Sequence, residues 1–158
     1  MIFKDDSRQI EIEEHLLNRM RWYCQNDKKA KEAGGVLVGR EVTDTNNLII
    51  THMTEPMPGD QRTRYRFFRK DIGHVNYFQN LYSSSGGLYG YFGEWHTHPE
   101  KIPVYSSFDL NEWHKIIKRS RGVVCPLYCL IMGTAAWRIW KVIGSEENPI
   151  LLYESNLE

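Results

Sequence analysis

The chain has 158 residues, 41% of them apolar and 25% charged, with 20 Lys plus Arg against 20 Asp plus Glu. These values describe one globular domain over residues 1–158 and exclude a disordered chain or a membrane span. Zero net charge argues against a general polyanion binder, and three cysteines with no apolar leader after Met1 predict a reducing, cytoplasmic setting.

Residues 8–12 alternate like a short edge strand. The period then changes: Ile12, Leu16, Met20 and Tyr23 share a helical face, with acidic residues early and basic ones late. Polar residues 25–31 end that helix, and Cys24 is placed on it. Val36–Arg40 is a strand, residues 44–47 a turn, and Leu48–Met53 the return strand. Residues 56–60, rich in Pro and Gly, form a loop.

Arg64-Tyr65-Arg66-Phe67 alternates as a strand does. Asp71 is positioned to cap a helix carrying Val75, Phe78 and Leu81 or Tyr82, which residues 83–87 break. Leu88–Trp95 is a strand running into His96-Thr97-His98-Pro99. A loop with two prolines leads to a helix over Ser107–Arg119, with Leu110, Trp113 and Ile117 on one side. Pro126–Met132 and Ala136–Val142 form a hairpin around Gly133-Thr134. The order β-α-β-β-β-α-β-α-β-β predicts an α/β domain, a curved mixed sheet flanked by helices.

The chemistry concentrates in residues 94–109. Residues two apart on a strand point the same way, so His96 and His98 aim two imidazoles at one point. Asp109 falls in the first turn of the next helix, where the helix dipole favours a carboxylate. Two histidines and one carboxylate leave a fourth position open, as in catalytic rather than structural zinc sites. Ser106 and Ser107 are both preferred N-cap residues, so a serine here also has a purely helix-starting use. Glu94 shares the face of His96 and is a candidate for a hydrogen bond to a ligand or to substrate.

Three other patterns compete. His98-Pro99-Glu100 with Cys125 and Cys129 imitates a zinc deaminase, but three residues separate the cysteines where that chemistry needs two. Both cysteines are then small apolar core residues. The strip Arg62, Arg64, Arg66, Arg69, Lys70 with interleaved aromatics reads as a half-exposed strand before it reads as a nucleic-acid surface, although an acidic protein face also fits it. His15, His52, His74 and His114 lack ligand spacing and are taken as surface or boundary residues.

The pattern His-x-His-x7-Ser-x-x-Asp, met by His96, His98, Ser106 and Asp109, resembles the signature of JAMM metalloproteases, also called JAB or MPN-plus domains. Glu32 in Glu32-Ala33-Gly34-Gly35 is similar to the Glu-x-Gly-Gly opening of prokaryotic JAB proteins. The resemblance implies that His96, His98 and Asp109 bind Zn2+. It further implies that Glu32 holds the attacking water and passes its proton to the leaving amine, and that Ser106 donates to the developing oxyanion. The stretch from Gly93 to Trp113 looks most like JAB proteins of bacterial antiphage operons of the CBASS type. That implies an isopeptidase acting on an extended protein C-terminal tail joined to an amine, a nucleotidyltransferase conjugate in particular. A non-catalytic MPN scaffold and a DNA-associated RadC-like protein are the alternatives. The first leaves every filled ligand position without purpose. The second carries His-Pro-Ser-Gly-Asp where this chain has His98-Pro99-Glu100-Lys101-Ile102. Tyr105 stands where bacterial relatives often have proline.

Overall fold

A computed structural model of the chain describes residues 1–6 and 8–157. The strands are β1 (Ile2–Asp5), β2 (Arg8–Ile12), β3 (Gly34–Glu41), β4 (Leu48–Met53), β5 (Gln61–Thr63), β6 (Arg66–Phe68), β7 (Gly90–Thr97), β8 (Leu127–Met132), β9 (Ala136–Val142) and β10 (Ile150–Asn156). The helices are α1 (Glu14–Arg21), α2 (Gly73–Ser84) and α3 (Ser107–Arg119). Among the described residues, eight strands form one mixed sheet in the order β1-β2-β4-β3-β7-β8-β9-β10, and β5 pairs with β6. Among the described residues, no helix is long and apolar enough to cross a membrane.

β8 explains the layering. Its six residues are all buried, as expected of a strand covered on both faces. Tyr128, Leu130 and Met132 join the larger core with α1, whose Leu16, Leu17 and Met20 bury its apolar stripe. Leu127, Cys129 and Ile131 face the other way, against Trp113 and Ile117 of α3 and Trp140 of β9. β7 and β8 are parallel, so the chain must leave the sheet between them, and α3 is that crossover.

The sheet curls until its edges meet. Phe3 of β1 stacks on Tyr153 of β10 with ring centroids 5.4 Å apart. Asp5 accepts from Lys141 at 2.6 Å and from the Tyr128 hydroxyl at 2.7 Å. This closure shields strand edges that would otherwise be open to pairing.

Several expectations are corrected. β1 and β10 were absent from the predicted order. The strand expected over residues 64–67 is a hairpin turning at Arg64-Tyr65, with β5 before it and β6 after it. α1 stops at Arg21, so Cys24 lies beyond it and donates to the Gly133 carbonyl. Cys129 is buried as expected, but Cys125 is exposed. Asp71 braces the start of α2 by accepting from the Gly73 N–H at 2.8 Å, although Ile72 holds the N-cap position.

Candidate metal centre

The site forms where β7 leaves the sheet. His96 and His98 project on the α3 face, their Nε2 atoms 3.0 Å apart. Trp113, one turn along α3 from Asp109, packs near the His96 ring with centroids 6.4 Å apart. Asp109 stands opposite the histidines, 3.3 Å from His96 Nε2 through Oδ1 and 3.3 Å from His98 Nε2 through Oδ2. All three residues are buried.

Asp109 is held by the helix it starts. Ser106 is the N-cap of α3, and the two residues form a capping box. Asp109 Oδ2 accepts from the Ser106 N–H at 2.6 Å and from the Ser106 hydroxyl at 2.7 Å, while Ser106 Oγ accepts from the Asp109 N–H. The helix-starting use of Ser106 is therefore real. Asp109 Oδ2 is thus shared between Ser106 and His98, while Oδ1 faces His96.

Glu32 arrives by strand register. β3 and β7 are antiparallel, with Gly34 opposite His96. The pairing continues outward: Thr97 N–H donates to the Ala33 carbonyl at 2.8 Å, and the Thr97 hydroxyl accepts from Ala33 N–H at 2.9 Å. One more step puts Glu32 opposite His98 on the shared face, with Oε1 3.8 Å from His98 Nε2. Gly34 must lack a side chain, because a Cβ there would lie 2.5 Å from the Phe67 ring and 2.6 Å from the Trp95 carbonyl.

The β5–β6 hairpin clamps Glu32 from above. Glu32 N–H donates to the Thr63 carbonyl at 2.8 Å, and Arg62 Nε donates to the Glu32 carbonyl at 2.6 Å. Buried Gln25 links three segments, donating to the carbonyls of Ala30 and Arg64 and accepting from the Thr97 hydroxyl. The hairpin is in turn anchored by a fully buried relay. His74 Nδ1 meets the Thr54 hydroxyl at 2.6 Å, and His74 Nε2 meets Asp60 at 2.8 Å. Asp60 also accepts from the N–H groups of Met57, Lys70 and Asp71. His74 is thus a core residue rather than the surface or boundary histidine its spacing implied. Glu94 is not aimed at a ligand: its carboxylate binds Arg69 at 2.6 Å and accepts from the Tyr91 hydroxyl.

Burial dominates the electrostatics. It raises the Glu32 carboxyl to about 8, helped by the Asp109 charge and opposed by His96. Burial also opposes charge on Asp109, but His96 and the hydrogen bonds from His98 and Ser106 outweigh it and hold Asp109 far below the usual carboxylate range. Burial disfavours charge on His96 as well, and Asp109 reverses this, raising its pKa. A small cation meets the needs of this donor set. Donors around tetrahedral zinc lie about 3.4 Å apart, given bonds of roughly 2.0–2.1 Å, close to the 3.0 and 3.3 Å separations found. The residues fit a metal.

A curved mixed sheet that presents two histidines at the end of an inner strand, answered by a helix-capping aspartate, defines a JAB-type domain. The chain belongs to the prokaryotic homologs of the JAB domain, whose family pattern covers residues 13–143. It is 35% identical over 149 residues to the CD-NTase/cGAS isopeptidase of Escherichia coli (strain TW11681), covering 92% of this chain and 90% of that one. The protein of the same name from Vibrio cholerae serotype O1 is 34% identical over 159 residues, covering 100% and 96%. The Pseudomonas aeruginosa one (strain BWHPSA011 / Pa011) is 33% identical over 147 residues, covering 92% and 91%. The fold is shared with the solution structure of a Desulfitobacterium hafniense protein (TM-score 0.62, 15% identity, 90% and 88% covered). A hydrolase follows from the family and these relatives.

Proposed function

We propose that this chain is a zinc-dependent isopeptidase of the JAMM type that releases a CD-NTase from the amine to which its C-terminal tail is joined, within a CBASS antiphage system. The observation that carries this reading is the buried convergence of His96, His98 and Asp109 beside Glu32, in a chain closely similar to proteins named for that activity.

His96, His98 and Asp109 would hold the zinc. Zinc, when bound, supplies a lowered pKa for the attacking water and Lewis-acid polarisation of the scissile carbonyl. Glu32 is the proton carrier. At 3.8 Å it is not hydrogen-bonded to His98, so its carboxylate is not tied to that ligand and would take a proton from the water and hand it to the leaving amine. Burial raises its proton affinity, which helps it accept the water's proton, and zinc, when bound, would favour the carboxylate form that does so. Ser106 reaches the oxyanion only by turning its hydroxyl from Asp109, while its N–H keeps Asp109 in place.

The test is cleavage of a CD-NTase–protein conjugate by the purified chain, with its zinc content measured. Stoichiometric zinc and cleavage abolished by Glu32→Ala are expected. Undiminished cleavage after chelator treatment that removes the metal would refute the zinc assignment. Intact conjugate with zinc bound would refute the isopeptidase assignment.

A further inference from the structure

Beside the metal centre lies a cleft of about 350 Å³, reached from His96 and Asp109 and walled by Phe67, Phe68, Phe108 and Ile116. Its charges are unevenly matched. Arg69 is spent on Glu94, and Glu112 is neutralised by Lys115 at 2.7 Å. Asp109 faces the histidines, which leaves Arg119 in the lining, with Arg66 and Lys70 beside it against the rings of Phe108 and Phe68.

Arg66 places its guanidinium 4.4 Å from the Phe108 ring centroid, and Lys70 places its ammonium 4.8 Å from that of Phe68. Phe68 and Phe108 are themselves in edge contact, with centroids 5.8 Å apart. The two cations therefore flank one aromatic wall, and Arg119 lines the cleft from α3. All three are exposed, and among the described residues none forms an ion pair. Cation–π contact biases Arg66 and Lys70 toward these rings while leaving their outward N–H groups unused. This local excess arises in a chain whose formal net charge is zero, so positive charge is concentrated at the mouth of the site.

We infer that the Arg66–Lys70–Arg119 mouth of this cleft binds an acidic polypeptide segment of the substrate close to the bond that is cleaved. The inference rests on the isopeptidase reading for what that segment belongs to; the binding surface stands on the geometry alone. A polypeptide is favoured over nucleic acid because the cleft opens on the centre proposed to hydrolyse an amide bond, and the chain as a whole carries no net positive charge. Exposed charge pairs bring specificity and faster encounter more than raw affinity, and they weaken with salt.

The test uses the full chain with zinc and two short fluorescein-labelled peptides, one rich in glutamate and one with glutamine at the same positions, read by fluorescence anisotropy. The glutamate peptide is expected to bind about fivefold to twentyfold more tightly at low salt, with the advantage mostly lost at about 0.3 M salt. The double variant Arg66→Glu, Lys70→Glu should abolish the preference, while Lys4→Glu, Arg40→Glu, with the same change in net charge, should keep it. Equal binding of both peptides, equal loss in both double variants, or tighter binding of a single-stranded oligonucleotide would overturn the inference. Conjugate cleavage separates the two readings. Cleavage with no acidic preference sinks this inference alone, and acidic preference without cleavage sinks the isopeptidase reading alone.

Discussion

Replacing Glu32 with glutamine should make the metal-free protein more stable while removing its activity. The folded carboxyl titrates near 8, against 4.5 when it is unburied. Between those values the folded state holds a proton that the unfolded state has released. Stability of the metal-free protein therefore falls as pH rises from about 4.5 through about 8. Glutamine keeps the shape and carries no charge, so it escapes that loss. Each pKa unit corresponds to roughly 1.4 kcal/mol, and the full shift sets a ceiling of on the order of 5 kcal/mol. Relaxation around the charge reduces this, and a gain of about 1–3 kcal/mol at pH 8.5 is expected. For a chain of this size that is roughly 3–10 °C in melting temperature. The assay is a series of thermal melts of both proteins, freed of metal, from pH 5 to pH 9. The difference should be small at pH 5 and grow through pH 8. Added zinc should shrink it, because a nearby cation favours the carboxylate. A difference that is flat with pH, or wild type gaining on the variant as pH rises, would refute the argument.

Three further outcomes follow. Asp109→Asn and His96→Ala should lose zinc and activity yet still melt cooperatively, because the two apolar cores are built from residues other than the ligands; unfolded variants by circular dichroism would contradict this. Ser106→Ala should cost about 1 kcal/mol through the lost N-cap and weaken zinc binding in competition with a chelating dye, since Asp109 loses one of its donors. An unchanged zinc affinity would separate the cap from the metal site. His74→Phe should cost roughly 1–3 kcal/mol by stripping buried Asp60 and Thr54 of a partner, and should speed hydrogen exchange in β5 and β6 more than in β7. Uniform exchange would mean that the relay does not anchor the hairpin.

Period and composition made much of the frame legible. The buried run of β8, the stripes of α1 and α3 and the parity of His96 and His98 are local patterns that the structure repeats. Ser106 and Asp109 were readable as a helix start as well as a site. β1 and β10 were not readable, since both are edge strands whose partners are fixed by closure of the sheet rather than by their own alternation. The break at Arg64-Tyr65 was hidden because the alternating pattern runs straight across the turn. His74, Gln25 and Thr97 carried no signal at all: each is a single polar residue whose role exists only once Asp60, Arg64 or Ala33 is brought to it. Glu32 is an intermediate case. Nothing local distinguishes it from a solvated loop carboxylate, and the β3–β7 register is what sets it across from His98.

That register also divides the molecule into a fixed part and an exchangeable one. The β3–β7 register carries Glu32 to the place across from His98, and the hairpin backbone then pins its main chain there. The hairpin that covers them is tied down by main-chain carbonyls, the Arg62 side chain, the Phe67 ring against Gly34, the Arg69–Glu94 pair and one buried relay. On the proposed function, its outward residues could therefore be rewritten for a different tail while these anchors hold Glu32 in place, so selectivity could be retuned in a segment of about a dozen residues.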